Sequence, residues 1–193
     1  EYDIPQRARE INLEAARLAR NAVDKYDTPE HPRYVIGAMG PTTKTLSVTG
    51  GVTFQELVSS YQEQAVALID GKVDALLLET SQDTLNVKAG SIGIKNAFEQ
   101  TGITLPVMIS GTIEPMGTTL AGQNIEAFYI SLEHLKPISI GLNCATGPEF
   151  MRDHIRSLSA ISSAAVSCYP NAGLPDENGN YHESPDSLAR KLA

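Results

Sequence analysis

The most informative segment of the chain is Pro137-Ile138-Ser139-Ile140-Gly141-Leu142-Asn143-Cys144-Ala145-Thr146-Gly147-Pro148. An apolar run ends at Asn143 and Cys144, a turn of small residues follows, and a proline suits the first turn of a helix. A strand that ends in reactive side chains and leads into a helix is typical of parallel α/β proteins. In these proteins the chemistry gathers at the carboxyl ends of the strands. The stretch therefore predicts a strand and a helix, with Cys144 at the end where function is expected.

The same cycle recurs along the whole chain. Apolar runs predict five strands, at residues 34–39, 75–78, 105–109, 137–142 and 164–168. Helical spacing and cap residues predict helices at 4–22, 53–70, 83–100, 124–135 and 148–161, with another opening at Ser184 and Pro185. The first helix is expected to be capped by Asp3 and to carry an apolar stripe that includes Ile11, Ala15 and Leu18.

The strands are continuous apolar runs, as expected when helices cover both faces of a parallel sheet. Strict alternation of strands and helices predicts the α/β class. Two architectures satisfy this pattern: an open doubly wound sheet and an incomplete eight-stranded barrel. The pattern of the residues alone does not separate them.

Composition narrows the classes of function. The chain has 193 residues, of which 41% are hydrophobic and 20% charged, which is typical of a globular domain. The formal net charge is −8 and the basic residues are scattered, so no nucleic-acid partner is expected. No segment approaches the roughly 20 apolar residues that span a bilayer, so no membrane partner is expected. Two cysteines cannot form a disulfide framework. We therefore expect a cytoplasmic protein.

Polar residues follow the predicted strands. In a barrel they would converge on one mouth, where substrate is held. The residues at these positions are Thr42, Glu79, Ser110, Asn143 and Asn171. Glu79 follows four apolar residues, so its carboxylate sits at the edge of the core. It suits the binding of a substrate ammonium or the role of a base. It equally suits a structural role, as a helix cap or the partner of a cation.

Cys144 has two readings when its own position is considered. Its thiol suits a soft metal or a nucleophilic role. Most free cysteines instead pack as small hydrophobes, and the residue pattern favours that reading. Cys168, at the end of the next strand, is expected to pack. The four histidines show no metal-binding spacing, and the chain has no GxSxG elbow and no nucleotide-binding glycine motif.

Several segments, in order and at compatible spacings, resemble the homocysteine-binding (homocysteine S-methyltransferase) barrel of cobalamin-dependent methionine synthase. They are Gly40-Pro41-Thr42, Leu78-Glu79-Thr80, Asp83-Thr84-Leu85-Asn86, Ile109-Ser110-Gly111-Thr112, Gly141-Leu142-Asn143-Cys144 and Pro170-Asn171-Ala172-Gly173-Leu174-Pro175. The segments at 83–86 and 171–175 are more similar to methionine synthase than to its betaine-using relatives.

The resemblance implies a parallel TIM-type (β/α)8 barrel. It implies that residues 1–193 are the central part of a single barrel domain, truncated at both ends and holding about strands three to seven. The implied activity is methyl transfer to homocysteine, which gives methionine. The methyl group would pass from 5-methyltetrahydrofolate through methylcobalamin. The implied partners are therefore homocysteine and the cobalamin-, folate- and activation-type domains of a longer parent chain.

The resemblance also implies roles for three residues. Cys144 matches the first of three cysteine ligands to a catalytic zinc. Glu79 matches the carboxylate that holds the amino group of homocysteine, and Asn143 is expected to shape the substrate pocket.

The chain departs from the family at the metal. The other two zinc ligands of the family are an adjacent pair of cysteines, and this chain has no Cys-Cys pair. Because a zinc site needs at least three protein ligands, we expect the isolated segment to be inactive and to bind zinc weakly. Two alternatives stay open. One is a homocysteine methyltransferase of the same fold that uses betaine or S-methylmethionine, and the other is an inactive structural fragment.

Overall fold

The computed structural model describes residues 4–192. The strands are β1 (Ile36–Met39), β2 (Ala75–Ser81), β3 (Val107–Gly111), β4 (Ser139–Asn143) and β5 (Ala165–Tyr169). The helices are α1 (Ala8–Val23), α2 (Phe54–Asp70), α3 (Thr84–Thr101), α4 (Ile125–Leu132), α5 (Pro148–Ile161) and α6 (Pro185–Leu192). Short 3-10 turns lie at Pro5–Arg7 and Glu133–Leu135. Every predicted strand and helix is present, with ends that shift by a few residues.

The order of the strands separates the two architectures that the sequence left open. The five strands form one sheet in the order β1-β2-β3-β4-β5, and every neighbouring pair is parallel. A doubly wound sheet reverses its order at a switch point, whereas a barrel adds each strand beside the previous one. The described residues therefore form an arc of a TIM-type barrel, which confirms the α/β barrel prediction.

The core lies between the arc and its helices. Side chains alternate between the two faces of each strand. The helix-facing positions are almost completely buried at Met39, Leu76, Leu78, Ile109, Ile140 and Leu142. Gly90 of α3 lies against Leu78, and Gly111 of β3 lies against Phe128 of α4, both without room for a side chain. The opposite face, which would line the inside of a barrel, carries Ser110, Gly141 and Asn143.

The first helix packs on an unexpected face. The apolar stripe that predicts α1 is exposed: Ile11 is 49% exposed and Leu18 is 72% exposed. The buried residue of α1 is Ala16, because a close approach to Gly71 admits only small residues there. The apolar stripe therefore predicts the helix correctly but not the face that packs. The predicted cap at Asp3 lies outside the described residues. Among residues 4–192, no helix combines the length and apolar character that crossing a membrane requires.

Candidate active site at the carboxyl ends of the strands

Three neighbouring strands bring Glu79, Ser110 and Asn143 to the same edge of the sheet. The Ser110 hydroxyl of β3 donates a hydrogen bond of 2.6 Å to Asn143 Oδ1 at the end of β4. Glu79 lies on β2, directly before Thr80, which is also bonded to Asn143. Ser110 is fully buried and Asn143 is 5% exposed, whereas Glu79 is partly exposed. The side chains of Ser110 and Asn143, predicted from separate strand ends, thus meet, and Glu79 lies at the same edge of the sheet.

A β-bulge changes the path of β2 at this edge. Leu78 pairs with Ile109 and Ser81 pairs with Gly111, so Glu79 and Thr80 together lie opposite the single residue Ser110. Thr80 has a φ of 56°, a left-handed conformation that is uncommon for a β-branched residue. Bulges beside active sites redirect side chains, and this one changes the direction of β2 at the carboxylate of Glu79.

The side chain of Asn143 holds the bulge. Its Oδ1 accepts a hydrogen bond of 3.1 Å from the backbone N–H of Thr80. Its Nδ2 donates one of 2.9 Å to Thr80 Oγ1. With the bond from Ser110, the buried amide joins β2, β3 and β4 through three hydrogen bonds.

Cys144 stands in a left-handed turn directly after Asn143. Cys144 and Ala145 have φ values of 57° and 56°. The N–H of Cys144 donates to the carbonyl of Tyr169 at 3.3 Å, and the N–H of Thr146 donates to the carbonyl of Cys144 at 2.6 Å. The thiol is partly exposed. Left-handed non-glycine residues cost about 1–3 kcal/mol each and cluster at functional sites. Three of the five in the described chain (Thr80, Cys144 and Ala145) lie at this edge.

Tyr169 is a member of the site that the sequence did not single out. It ends β5 and pairs in register with Asn143. Burial raises the pKa of the Tyr169 phenol, the neighbouring Ser110 hydroxyl partly opposes that shift, and the negative charge of Glu79 adds to it. The phenol therefore stays protonated near neutral pH beside Ser110 and Glu79. The signal that could have found it is the alternation of Ser167, Cys168 and Tyr169, which places Tyr169 on the face opposite Cys168.

A comparison with known proteins places the chain in a family. The sequence model of homocysteine S-methyltransferase matches residues 1–193. The chain belongs to the homocysteine S-methyltransferase family. The apo form of the homocysteine methyltransferase MmuM from Escherichia coli superposes with a TM-score of 0.73 at 18% identity. That match covers 90% of this chain and 64% of the other. The metallated form gives a TM-score of 0.72 at 17% identity, over 86% of this chain and 59% of the other.

At these identities the likeness to the Escherichia coli enzyme shows the fold. The chain spans about 64% of the length of that enzyme in the apo form. The family match agrees with the resemblance drawn from the strand-end segments.

The described residues supply only part of the metal site that the resemblance implies. Within residues 4–192, no group of three or more His, Cys, Asp or Glu side chains is arranged to hold a metal ion. Cys144 is a single thiol with no second cysteine beside it, because Cys168 lies on the other face of the sheet. A zinc site needs at least three protein ligands. The described residues therefore do not make a zinc site by themselves.

Cys168 packs into the layer of helices, as expected. Its sulfur lies 3.9 Å from Met151 Sδ of α5, and burial raises the pKa of its thiol. It pairs in register with Leu142, a fully buried core residue of β4. Cys168 therefore belongs to the core and not to the site.

The remaining strand-end residues take supporting places. Thr42 lies beyond β1, and its hydroxyl donates to the carbonyl of Lys44 in the following loop. The N–H of Asn171 donates to the carbonyl of Thr146 at 3.2 Å, which joins the loop after β5 to the turn that carries Cys144. The backbone of Asn171 thus places this residue beside the site.

The segment at 83–86 begins α3, as predicted, and it also holds a neighbouring loop, which its sequence did not reveal. The Asp83 carboxylate caps α3 by accepting from the N–H of Leu85 at 2.8 Å, and it also accepts from the N–H of Ser47 at 2.9 Å. Asn86 Oδ1 accepts from the N–H of Leu46 at 2.9 Å. Both side chains are almost completely buried. Together they fasten the loop that follows β1 at the mouth edge of the arc.

Proposed function

We propose that the full-length protein transfers a methyl group to the sulfur of homocysteine and so forms methionine. In this proposal the chain is the central part of the barrel domain that binds and activates homocysteine. Membership of the homocysteine S-methyltransferase family over residues 1–193 carries the proposal. The common edge of the arc that carries Glu79 on β2 and Asn143 and Cys144 at the end of β4 supports it, because a substrate there would lie near all three residues.

Each of the three residues has a proposed role. The Glu79 carboxylate binds the ammonium group of homocysteine through a charge-assisted hydrogen bond. Asn143 shapes the pocket floor. Cys144 contributes one thiolate to a zinc ion whose other ligands are not among the described residues. Zinc, when bound, lowers the pKa of a thiol that coordinates it.

The reaction balances and needs no external oxidant or reductant, because the electron pair of the bond that breaks stays with the donor. The sulfur of homocysteine forms a bond to the methyl carbon, the bond between that carbon and its donor breaks, and the thiol proton leaves to solvent. The role of this chain is to hold the amino acid so that its sulfur faces the donor. Orientation of this kind supplies a large part of the rate in two-substrate reactions.

For the donor we propose methylcobalamin, replenished from 5-methyltetrahydrofolate. The segments at 83–86 and 171–175 support this choice, since they resemble methionine synthase more than the betaine-using enzymes. The proposal brings with it cobalamin-, folate- and activation-type domains as partners in the parent protein. Betaine and S-methylmethionine are the alternative donors, and an inactive structural fragment is the alternative without catalysis.

The test is a donor comparison with the purified, zinc-loaded full-length protein. L-Homocysteine is supplied separately with methylcobalamin, S-methylmethionine or betaine, and methionine is measured by mass spectrometry. We expect methionine with methylcobalamin. Methionine from one of the other donors alone would keep the methyl transfer and replace the donor. No methionine from any donor would overturn the proposed function.

A further inference from the structure

We propose that Asn143 is a positioning residue that acts through Thr80 on the carboxylate of Glu79. It holds the bulge of β2 in the conformation that presents Glu79 to the substrate. The inference rests on the proposed function, in which Glu79 binds the ammonium group of homocysteine.

The hydrogen bonds of Asn143 favour positioning over direct contact with substrate. Its Oδ1 accepts from both Thr80 N and Ser110 Oγ, and its Nδ2 donates to Thr80 Oγ1. An amide offers two acceptor sites on its oxygen and two N–H donors on its nitrogen. Three of these four are engaged within the protein, and the side chain is 5% exposed. The amide of Asn143 therefore makes most of its hydrogen bonds to the neighbouring strands and has little left to offer a substrate.

Thr80 needs this support. A threonine at a φ of 56° is strained, because its branched Cβ crowds the backbone in the left-handed region. At the bulge, the partner of its N–H is the amide oxygen of Asn143. If that partner were lost, the strand would gain by relaxing toward an extended conformation. Such a change turns side chains from one face of a sheet to the other, and Glu79 immediately precedes the residue that relaxes.

Asn143 also joins the two groups on which the proposed function depends. It directly precedes Cys144, and it fixes Thr80, which directly follows Glu79. A single side chain thus fixes the position of the Glu79 carboxylate on β2 relative to the Cys144 thiol after β4. A residue so placed sets the distance between the site for the ammonium group and the site for the sulfur.

The test is Asn143→Ala in the full-length protein, with binding measured by calorimetry for two ligands. One is L-homocysteine, and the other is 4-mercaptobutanoate, which lacks the ammonium group. We expect the dissociation constant of homocysteine to rise about tenfold or more, as for the loss of about 1.4 kcal/mol. The analogue, which does not use Glu79, should bind with little change. KM for homocysteine should rise more than kcat falls.

Tyr129→Phe is the matched control. The Tyr129 hydroxyl is buried and accepts a hydrogen bond of 2.9 Å from the N–H of Ser163, just before β5 at the opposite end of the sheet. Its removal should lower the melting temperature, as loss of a buried hydrogen bond does, without changing homocysteine binding. The inference would be overturned if Asn143→Ala lowered the affinity for both ligands equally. It would also be overturned if the affinity for homocysteine did not change.

A rescue experiment isolates the route through Thr80. Glycine adopts a positive φ without strain, so Thr80→Gly should keep the bulge when the amide is absent. We expect the double variant Asn143→Ala, Thr80→Gly to recover part of the homocysteine affinity that Asn143→Ala loses. If the double variant recovered no affinity, the inference that Asn143 acts through Thr80 would be overturned. Failure of the wild-type protein to bind homocysteine would instead be a failure of the proposed function, so the two are distinguishable.

Discussion

Gly141 of β4 lies so close to Ser167 of β5 that a Cβ atom on Gly141 would overlap the Ser167 carbonyl oxygen. The obstacle is backbone, so no change of rotamer relieves it. We predict that Gly141→Ala lowers the free energy of unfolding by about 3 kcal/mol or more, because β4 and β5 must separate. Urea unfolding followed by circular dichroism measures the effect.

Gly40→Ala is the control for this prediction. A Cβ atom on Gly40 meets no atom within 4 Å, and its φ is not positive. We expect its unfolding free energy to change by about 0.5 kcal/mol or less. Similar losses for the two variants would show that contact with Ser167 does not determine the effect at Gly141.

The two cysteines should differ in their effect on zinc. We predict that Cys144→Ala in the full-length protein removes zinc retention and methyl transfer, because one thiolate ligand is lost from the proposed site. Cys168→Ala should retain both, since the Cys168 sulfur packs on Met151 in the core. Zinc content per protein is measured by plasma mass spectrometry after dialysis. Unchanged zinc in Cys144→Ala would exclude Cys144 as a ligand.

Asp176 organises the loop between β5 and α6 in a way that depends on pH. Its carboxylate accepts hydrogen bonds from the N–H groups of Asn180 and Asn178 at 2.8 and 2.9 Å, and His182 Nε2 lies 2.8 Å away. These bonds, from the Asn180 backbone above all, lower the pKa of Asp176 below its ordinary value of 3.8. Because the pKa is lowered in the folded state, the charged Asp176 stabilises the fold at pH values above the ordinary pKa. The contribution is lost as the pH falls through the lower value of the folded protein.

We therefore predict that the amide resonances of Asn178 and Asn180 shift together in an acid titration, with a midpoint below 3.8. Nuclear magnetic resonance between about pH 5 and pH 2 follows the transition. Asp176→Asn should abolish it. A midpoint at or above 3.8 would mean that the loop does not stabilise the charged carboxylate.

The sequence was sufficient to predict the helices, the strands and several site residues, but not how they are arranged in space. The strand ends at Glu79, Ser110 and Asn143 could be predicted because continuous apolar runs stop there. The residue pattern could not decide between a barrel and a doubly wound sheet, since strand order depends on contacts between distant segments, and the barrel was predicted only from the resemblance to a family.

The bulge at Thr80 shows why the local pattern failed at the site itself. Threonine has no preference for a positive φ, so nothing near residue 80 predicts one. The conformation depends on the amide of Asn143, 63 residues later in the chain. Tyr169 was missed for a simpler reason, because the predicted strand ended one residue before it.

The negative charge of Glu79 should govern the affinity for homocysteine. We predict that Glu79→Gln raises KM for homocysteine by roughly 10- to 100-fold, the range expected when a hydrogen bond to a charged group is weakened. The change in kcat should be smaller, because in the proposed function the carboxylate binds the ammonium group and not the reacting sulfur. Steady-state kinetics with saturating methyl donor measure both constants.

4-Mercaptobutanoate separates loss of the ion pair from general damage to the pocket. Without an ammonium group it cannot use the Glu79 carboxylate, so the wild-type protein and Glu79→Gln should bind it with closely similar affinity. A large loss of the analogue in Glu79→Gln would show that the residue supports the pocket through the bulge and its neighbours instead of through its charge. Because Glu79 borders the strained Thr80, this comparison decides whether the bulge presents a binding group or only shapes the mouth.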